Sequence, residues 1–307
     1  MKKEYGIGLV IAMMLMASSA NAGPEADHYK RLIGTSIFSA NNLYLQTGWY
    51  DMDGGSTGDD PEMSNANFVG SYYFGEIGDT WRPFVLGGFG FTKIDQDNIN
   101  FGSGNLGDVE LDSTYWKLGG GINYNPNRNI GLVLGASGLW MSTDGDYKNG
   151  SNPQMEKYFD HDSDTAIYDI FGSVNLHTEY NGYKPYAELT LHYLNIDYDF
   201  GLSDVSGWNA DVTAGVFTPT LTTWMDLPVR AQFFVAANFL DNDLSDVTGF
   251  DSAYHAGASL LWKIGPMIPI FNNAFKDTEL AFNLQGTTGD NDLKGWKASI
   301  SLNIAKF

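Results

Sequence analysis

The feature that most restricts this chain is strict two-residue alternation in which one face carries no charge. Between Pro228 and Asp243, the residues Val229, Ala231, Phe233, Val235, Ala237 and Phe239 fall on one side of an extended chain, and Arg230, Gln232 and Asn238 on the other. Successive strand side chains point to opposite faces, so the pattern reads as a strand with two unlike surroundings. Three more stretches share it: Trp116 to Tyr124, Ile130 to Trp140 and Trp208 to Val216. The opposite face holds Lys117, Asp169, His177, Lys184, Glu188, His192, Asp211, Arg230 and His255. That population is too polar for the dry interior of a sandwich, where an unpaired charge is prohibitively costly. The apolar face needs lipid and the polar face needs water, as in a closed transmembrane barrel.

Scoring for period-two alternation and punctuating turns places twelve strands near 43–51, 65–74, 81–94, 114–124, 130–142, 166–180, 183–196, 207–218, 228–240, 253–264, 279–288 and 295–307. No helix is expected after about residue 40. The expected fold class is all-β, a transmembrane antiparallel up-and-down barrel of about 12 strands. Its links alternate in kind. Tight ones, 75–79, 125–129 and Asn181-Gly182, follow strands two, four and six, and the last is a type I′ hairpin signal. Long acidic ones follow the odd strands, with Asp51, Asp53, Asp59, Asp60 and Glu62 in the first; Asp144, Asp146, Glu156, Asp160, Asp162 and Asp164 in the third; and Asp241, Asp243, Asp246 and Asp251 in the fifth. One rim short and one long is the outer-membrane pattern, with short periplasmic turns and longer outside loops. Aromatic residues near predicted strand ends, among them Trp81, Trp116, Tyr124, Trp140, Tyr180, Tyr183, Trp208 and Trp262, match girdles at two membrane interfaces.

The first residues pair Lys2 and Lys3 with an apolar run and end in Ala20-Asn21-Ala22, which reads as a cleaved secretory signal over 1–22. Residues 23–42 form a short N-terminal segment, a helix in the lumen or an extra strand length, and 43–307 form the barrel. An even strand count places both chain ends in the periplasm. The chain has no cysteine, so disulfides, thiolate metal sites and cysteine nucleophiles are excluded. A formal net charge of −20 repels nucleic acid, and no nucleic-acid partner is expected.

Two constellations invite chemistry. If Tyr180 pairs with Tyr183 across Asn181-Gly182, His192 lies opposite Phe171 and diagonal to both Asp169 and Ser173. Ser, His and Asp are the nucleophile, base and orienter of acyl-transfer enzymes. No nucleophile elbow or oxyanion-hole loop accompanies them, so the preferred reading is a hydrogen-bonded wall of the lumen, with Lys117, Asp169, Lys184, Glu188, His192, Asp211 and Arg230 lining it. The loop from Asp51 to Glu62 has the length of a calcium loop, with Asp51, Asp53, Asp59 and Glu62 at ligand positions. Gly55 and Ser56, however, depart from that pattern, and a solvated acidic rim is preferred. No cofactor and no enzymatic activity are expected.

The final strand, GWKASISLNIAKF, ends on Phe307. It resembles the C-terminal signal of bacterial outer-membrane barrels, although Phe307 is out of phase with Ile304 and Leu302. Twelve strands and this ending together resemble the translocator barrel of autotransporters, with 23–42 too short for a folded passenger. The resemblance implies a solitary autotransporter-type barrel acting as a small or gated channel or a structural element. Its implied partners are outer-membrane lipid, lipopolysaccharide, the barrel-assembly machinery and periplasmic chaperones. The alternatives are a membrane hydrolase using Ser173, His192 and Asp169, or an adhesin acting through the acidic loops.

Overall fold

A computed structural model describes residues 24–40, 46–51, 61–78, 80–100, 106–199, 202–267, 278–290 and 294–303. A helix, α1 (Pro24–Ala40), precedes β1 (Gln46–Asp51), β2 (Glu62–Tyr73), β3 (Trp81–Ile99), β4 (Gly107–Asn127) and β5 (Ile130–Lys148). A short helix, α2 (Pro153–Phe159), leads into β6 (Asp162–His177), β7 (Lys184–Tyr198), β8 (Val205–Phe217), β9 (Thr222–Trp224) and β10 (Leu227–Leu240). Then come α3 (Asn242–Thr248), β11 (Ser252–Lys263), β12 (Glu279–Gly289) and β13 (Lys294–Asn303).

Every long strand pairs antiparallel with its sequence neighbour, and β13 returns to β1 through Trp49↔Trp296, so the sheet closes on itself. Closure leaves no free edge, which a bilayer requires because lipid cannot satisfy backbone polar groups. The twelve predicted strands are all present. The unpredicted three-residue β9 runs beside β10 from Leu227↔Trp224 to Val229↔Thr222, where β8 has ended.

The hairpin between β6 and β7 is the one read from Asn181-Gly182. Both residues take positive φ, 51° and 81°, and Tyr180 and Tyr183 exchange two backbone hydrogen bonds of 2.9 Å. A type I′ turn needs that left-handed geometry, which asparagine and glycine supply at little cost. It sets the register Phe171↔His192.

Phase along the strands sorts the side chains as expected. Phe233, Val235 and Phe239 of β10 are exposed, as are Trp116 and Leu118 of β4, although Ala231, in phase with the β10 set, is buried. Outward rings gather at two heights. Trp81 stacks on Tyr124 at 4.3 Å and Trp224 on Trp262 at 4.3 Å near one rim. Near the other, Trp116 stacks on Trp140 at 4.0 Å and Tyr193 packs on Trp208 at 5.2 Å. Trp116 and Tyr124 are about 27 Å apart along β4 at ~3.4 Å per residue, or roughly 20 Å along the axis for a tilt of ~40°, close to an outer-membrane apolar band.

Three expectations need correction. First, β3 to β6 overrun their predicted ends on the acidic side, so Asp144 and Asp146 lie on β5 and Asp162 and Asp164 on β6 rather than in a loop. Alternation continues past the girdle with charged outward residues, which a search for apolar faces does not see. Second, two α-helices and a 3-10 turn (Gly265–Met267) follow residue 40 among the described residues. Asn152 caps α2 ahead of Pro153, and Asp241 caps α3, which stops at Gly249 with φ 82°. Seven-residue helices are too short to show a period, and only their caps were legible.

Third, the inward face is not polar throughout: near the acidic rim much of it is apolar and buried, with Ile94, Leu111, Leu139, Met141, Ile167 and Ile196 in one cluster. β13 ends where Asn303 pairs with Glu279, at the rim of the short links 128–129 and 178–183, here the turn rim. The start of α1 sits at the other rim, the loop rim, against α2 and α3. The chain ends themselves, residues 1–23 and 304–307, lie outside the described residues.

Candidate functional site: a packed loop end above a polar belt

At the loop rim the lumen is filled by side chains from three helices and the wall. α1 directs Ala26, Tyr29, Leu32 and Ile33 into the cluster, all nearly devoid of solvent contact, and meets Met155 and Phe159 of α2 and Leu244 of α3 there. Tyr29 packs edge-on against Phe159 with ring centroids 5.3 Å apart, and its hydroxyl hydrogen-bonds to Ser163 at the start of β6. His28 Nε2 bonds to Gln96 Oε1 of β3 at 2.6 Å. Lys30 Nζ donates to Ser203 Oγ at 2.9 Å, and Asn152 Nδ2 to Glu25 at 3.4 Å. Burial holds the His28 pKa below its ordinary value; the Gln96 bond opposes this and the Arg31 charge adds to it. Burial likewise lowers Lys30, against the pull of Asp27 and Asp204. α1 is thus fixed by an apolar stripe flanked by specific polar bonds.

Below that plug, a chain of side-chain hydrogen bonds crosses six strands. His192 Nδ1 on β7 lies 3.0 Å from Asp169 Oδ1 on β6, with the two residues only 6% and 3% exposed. His192 Nε2 lies 3.5 Å from Asp211 Oδ2 on β8, and Asn238 of β10 donates its amide to Asp211. That leaves Asn238 Oδ1 to accept from His255 Nε2 at 2.6 Å. On the other side of the His255 ring, Nδ1 faces Thr287 Oγ1 at 2.9 Å and Gln285 Nε2 at 3.0 Å, both on β12. With the Nε2 proton donated to Asn238, Nδ1 is the acceptor for these two donors.

The belt reaches β4 through Lys117, which is buried and lies close enough to Asp169 to interact with its charge. Lys297 of β13 is also buried on the inward face. Nearer the turn rim Arg230 clasps Glu279 with two bonds, Nε to Oε1 at 2.8 Å and Nη2 to Oε2 at 2.6 Å, while its guanidinium lies 4.6 Å from the Phe217 ring. The paired geometry suits a planar fork on a carboxylate and ties β10 to β12 across β11.

Of the residues predicted to line the lumen, Lys117, Asp169, Glu188, His192, Asp211 and Arg230 point inward, and Lys184 shares their phase at the turn-rim mouth, 3.8 Å from Glu179. The three acyl-transfer candidates are not brought together. His192 and Asp169 are bonded, but Ser173 Oγ lies 2.8 Å from Thr190 Oγ1, and both His192 nitrogens face carboxylates. Asp51 and Glu62 pair at the top of β1 and β2, while Asp53, Asp59 and Phe307 lie outside the described residues. No group of three or more metal-ligating side chains is found among the described residues. Sequence reasoning missed Lys297, Glu279, Gln285 and Thr287, although each falls in the inward phase of its strand, Lys297 between Trp296 and Ala298.

No known family model matches the chain. It is 32% identical over 105 residues to outer membrane protein W of Vibrio cholerae, a match covering 32% of this chain and 48% of that protein, so it spans about half the length of the curated relative. The fold is similar to the β domain of the Bordetella autotransporter BrkA, with TM-score 0.54, 10% identity, and coverage of 84% of this chain and 96% of that one. The translocator domain of NalP from Neisseria meningitidis gives TM-score 0.51, 12% identity, and 90% and 94% coverage. The transport unit of AIDA-I from Escherichia coli gives 0.52, 11%, and 93% and 100%. The chain is an outer-membrane β-barrel. Its fold is similar to that of autotransporter translocator domains, and a helix is docked at the loop rim.

Proposed function

We propose that the chain is a non-enzymatic outer-membrane barrel of solitary autotransporter type, a gated conduit whose resting state is shut by α1. The loop rim faces the outside of the cell and the turn rim the periplasm. The barrel is inserted by the barrel-assembly machinery after passage with periplasmic chaperones, and its acidic rim meets lipopolysaccharide phosphates through shared divalent cations. One observation carries this reading: α1 buries Tyr29, Leu32 and Ile33 in the loop end of the lumen while the belt below stays polar. A lumen lined by polar groups suits solute or chain passage, and a packed helix at one end suits its control.

The test is conductance in planar bilayers. The intact chain is expected to be nearly silent, and a variant lacking Pro24–Ala40 is expected to give stable openings. Silence in both removes the conduit. The hydrolase reading is disfavoured by the turn of Ser173 toward Thr190, which leaves the nucleophile without a base. Full retention of any lipid- or peptide-cleaving activity in His192→Ala would discard it altogether. An adhesin role predicts that trimming Asp241 to Asp251 abolishes attachment to cells.

A further inference from the structure

Where the loop-rim girdle meets the acidic wall, the outer surface of β3 to β7 is notched by a cavity of about 740 Å³. Two rows of cross-strand neighbours build it. The lower runs Phe89↔Trp116↔Trp140↔Ala166↔Asp197, and the upper Phe91↔Thr114↔Ser142↔Asp164. Small side chains at Ala166, Ser142 and Thr114 interrupt rows otherwise made of rings and carboxylates, so the notch follows from the sequence of these strands. Phe89, Phe91 and Trp116 are each about half exposed. The polar side is supplied by Asp164, Asp197 and Asp199, which make no ion pair among the described residues. No basic side chain lines the cavity. Lys93 and Lys148, on the same face, are held by Asp95, Glu110 and Asp146.

We propose that this notch binds a membrane lipid of the loop-rim leaflet whose phosphate carries an ammonium-ended substituent. Charge complementarity at a fixed depth selects this lipid. Three carboxylates with no ion pair among the described residues repel an anionic headgroup and attract an ammonium, whose approach to the half-exposed rings of Phe91 and Trp116 adds cation–π attraction. The Thr114 and Ser142 hydroxyls stand between rings and acids, where they can donate to the phosphate oxygens. The rings themselves lie at the height where acyl chains give way to headgroups. A bare metal ion would use the acids but not the rings, and an anionic lipid the rings but not the acids.

The test uses the full chain reconstituted in vesicles of phosphatidylglycerol and phosphatidylethanolamine, with bromine placed on the acyl chains of one lipid or the other. Bromine quenches tryptophan on contact, and the share due to the notch is the part lost in Trp116→Phe/Trp140→Phe. That share is expected to report roughly fivefold tighter association of the ethanolamine lipid. The preference is expected to vanish in Asp164→Asn/Asp197→Asn/Asp199→Asn. It should also weaken in Ala166→Leu, which narrows the notch between Trp140 and Asp197 and leaves every charge in place. Heat-modifiable migration on gels verifies that each variant is folded, and Ala166→Leu carries the test if the triple variant is not. Equal quenching by the two lipids in the parent chain, or an undiminished preference in a folded variant, overturns the proposal.

Discussion

The two halves of the lumen are built from the same strands and stabilised by opposite means. At the loop end, a cluster of aliphatic and aromatic side chains packs on three helices around Phe159, with inward polar residues such as Gln96, Ser113, Thr143 and Ser163 set among them. At mid-height and toward the turn rim, the same inward phase carries Asp169, His192, Asp211, Asn238 and Arg230, joined across strands by hydrogen bonds and a paired ion contact. Apolar packing is non-directional and scales with buried area, so a helix can be docked and released as a unit. A polar network is directional and stays intact only if every member is satisfied, so it suits a wall that keeps its shape. The contrast assigns movement to the upper half and rigidity to the lower.

Substitutions in the two halves should therefore behave differently. Phe159→Ala empties the centre of the loop-end cluster and should cost about 3–5 kcal/mol. Its effect should appear first as faster hydrogen exchange of α1, with the strands still protected; uniform loosening of the barrel would contradict a separable plug. His192→Ala leaves the buried Asp169 carboxylate without its ring partner and should cost about 1–3 kcal/mol. His192→Gln, which keeps a donor, should cost less. These losses should register in urea-driven unfolding of the whole barrel and not in α1 alone. No loss in either variant would mean that the belt does not brace the wall.

Acid should separate the halves more gently. Burial depresses the His28 pKa below its ordinary 6.5, so the docked helix holds the ring neutral. Undocked α1 takes up the proton at higher pH, so docking is at full strength above the ordinary value and is lost progressively as pH falls from it toward the lowered value of the docked ring. Exchange protection of α1 should fall between about pH 7.5 and pH 5.5, and His28→Gln, which cannot titrate, should flatten the response. An unchanged profile in that variant would remove His28 as the cause. The smallest expected effect is on selectivity. With α1 deleted, an open barrel on a chain of net charge −20 should favour cations through its acidic mouth. A reversal potential favouring anions would show that Lys117, Lys297 and Arg230 govern passage instead.

Much of the wall was readable residue by residue. Asn181-Gly182 predicted its turn and with it the register that sets His192 opposite Phe171, because a two-residue loop leaves no freedom in pairing. The inward phase of Lys117, Asp169 and Arg230 followed from alternation alone. Illegible were the contacts among them. The diagonal from His192 to Asp169 and the diagonal to Ser173 look alike in sequence, and only the side-chain torsions and the neighbouring Thr190 choose between them. The upper strand ends escaped notice because their outward residues face water and are charged, so nothing apolar marks them.

Period-two alternation with an uncharged face is a local property, repeated twelve times, and it alone dictates strands, a lipid-facing side and closure, since no open edge survives in hydrocarbon. What fills the enclosed space is not local. Tyr29 meets Ser163, Asn238 meets His255 and Ala166 opens a notch between Trp140 and Asp197 only once strand register and side-chain packing are set. Those partners lie far apart in the chain or on different strands, and their meeting depends on register, tilt and packing summed over the whole barrel.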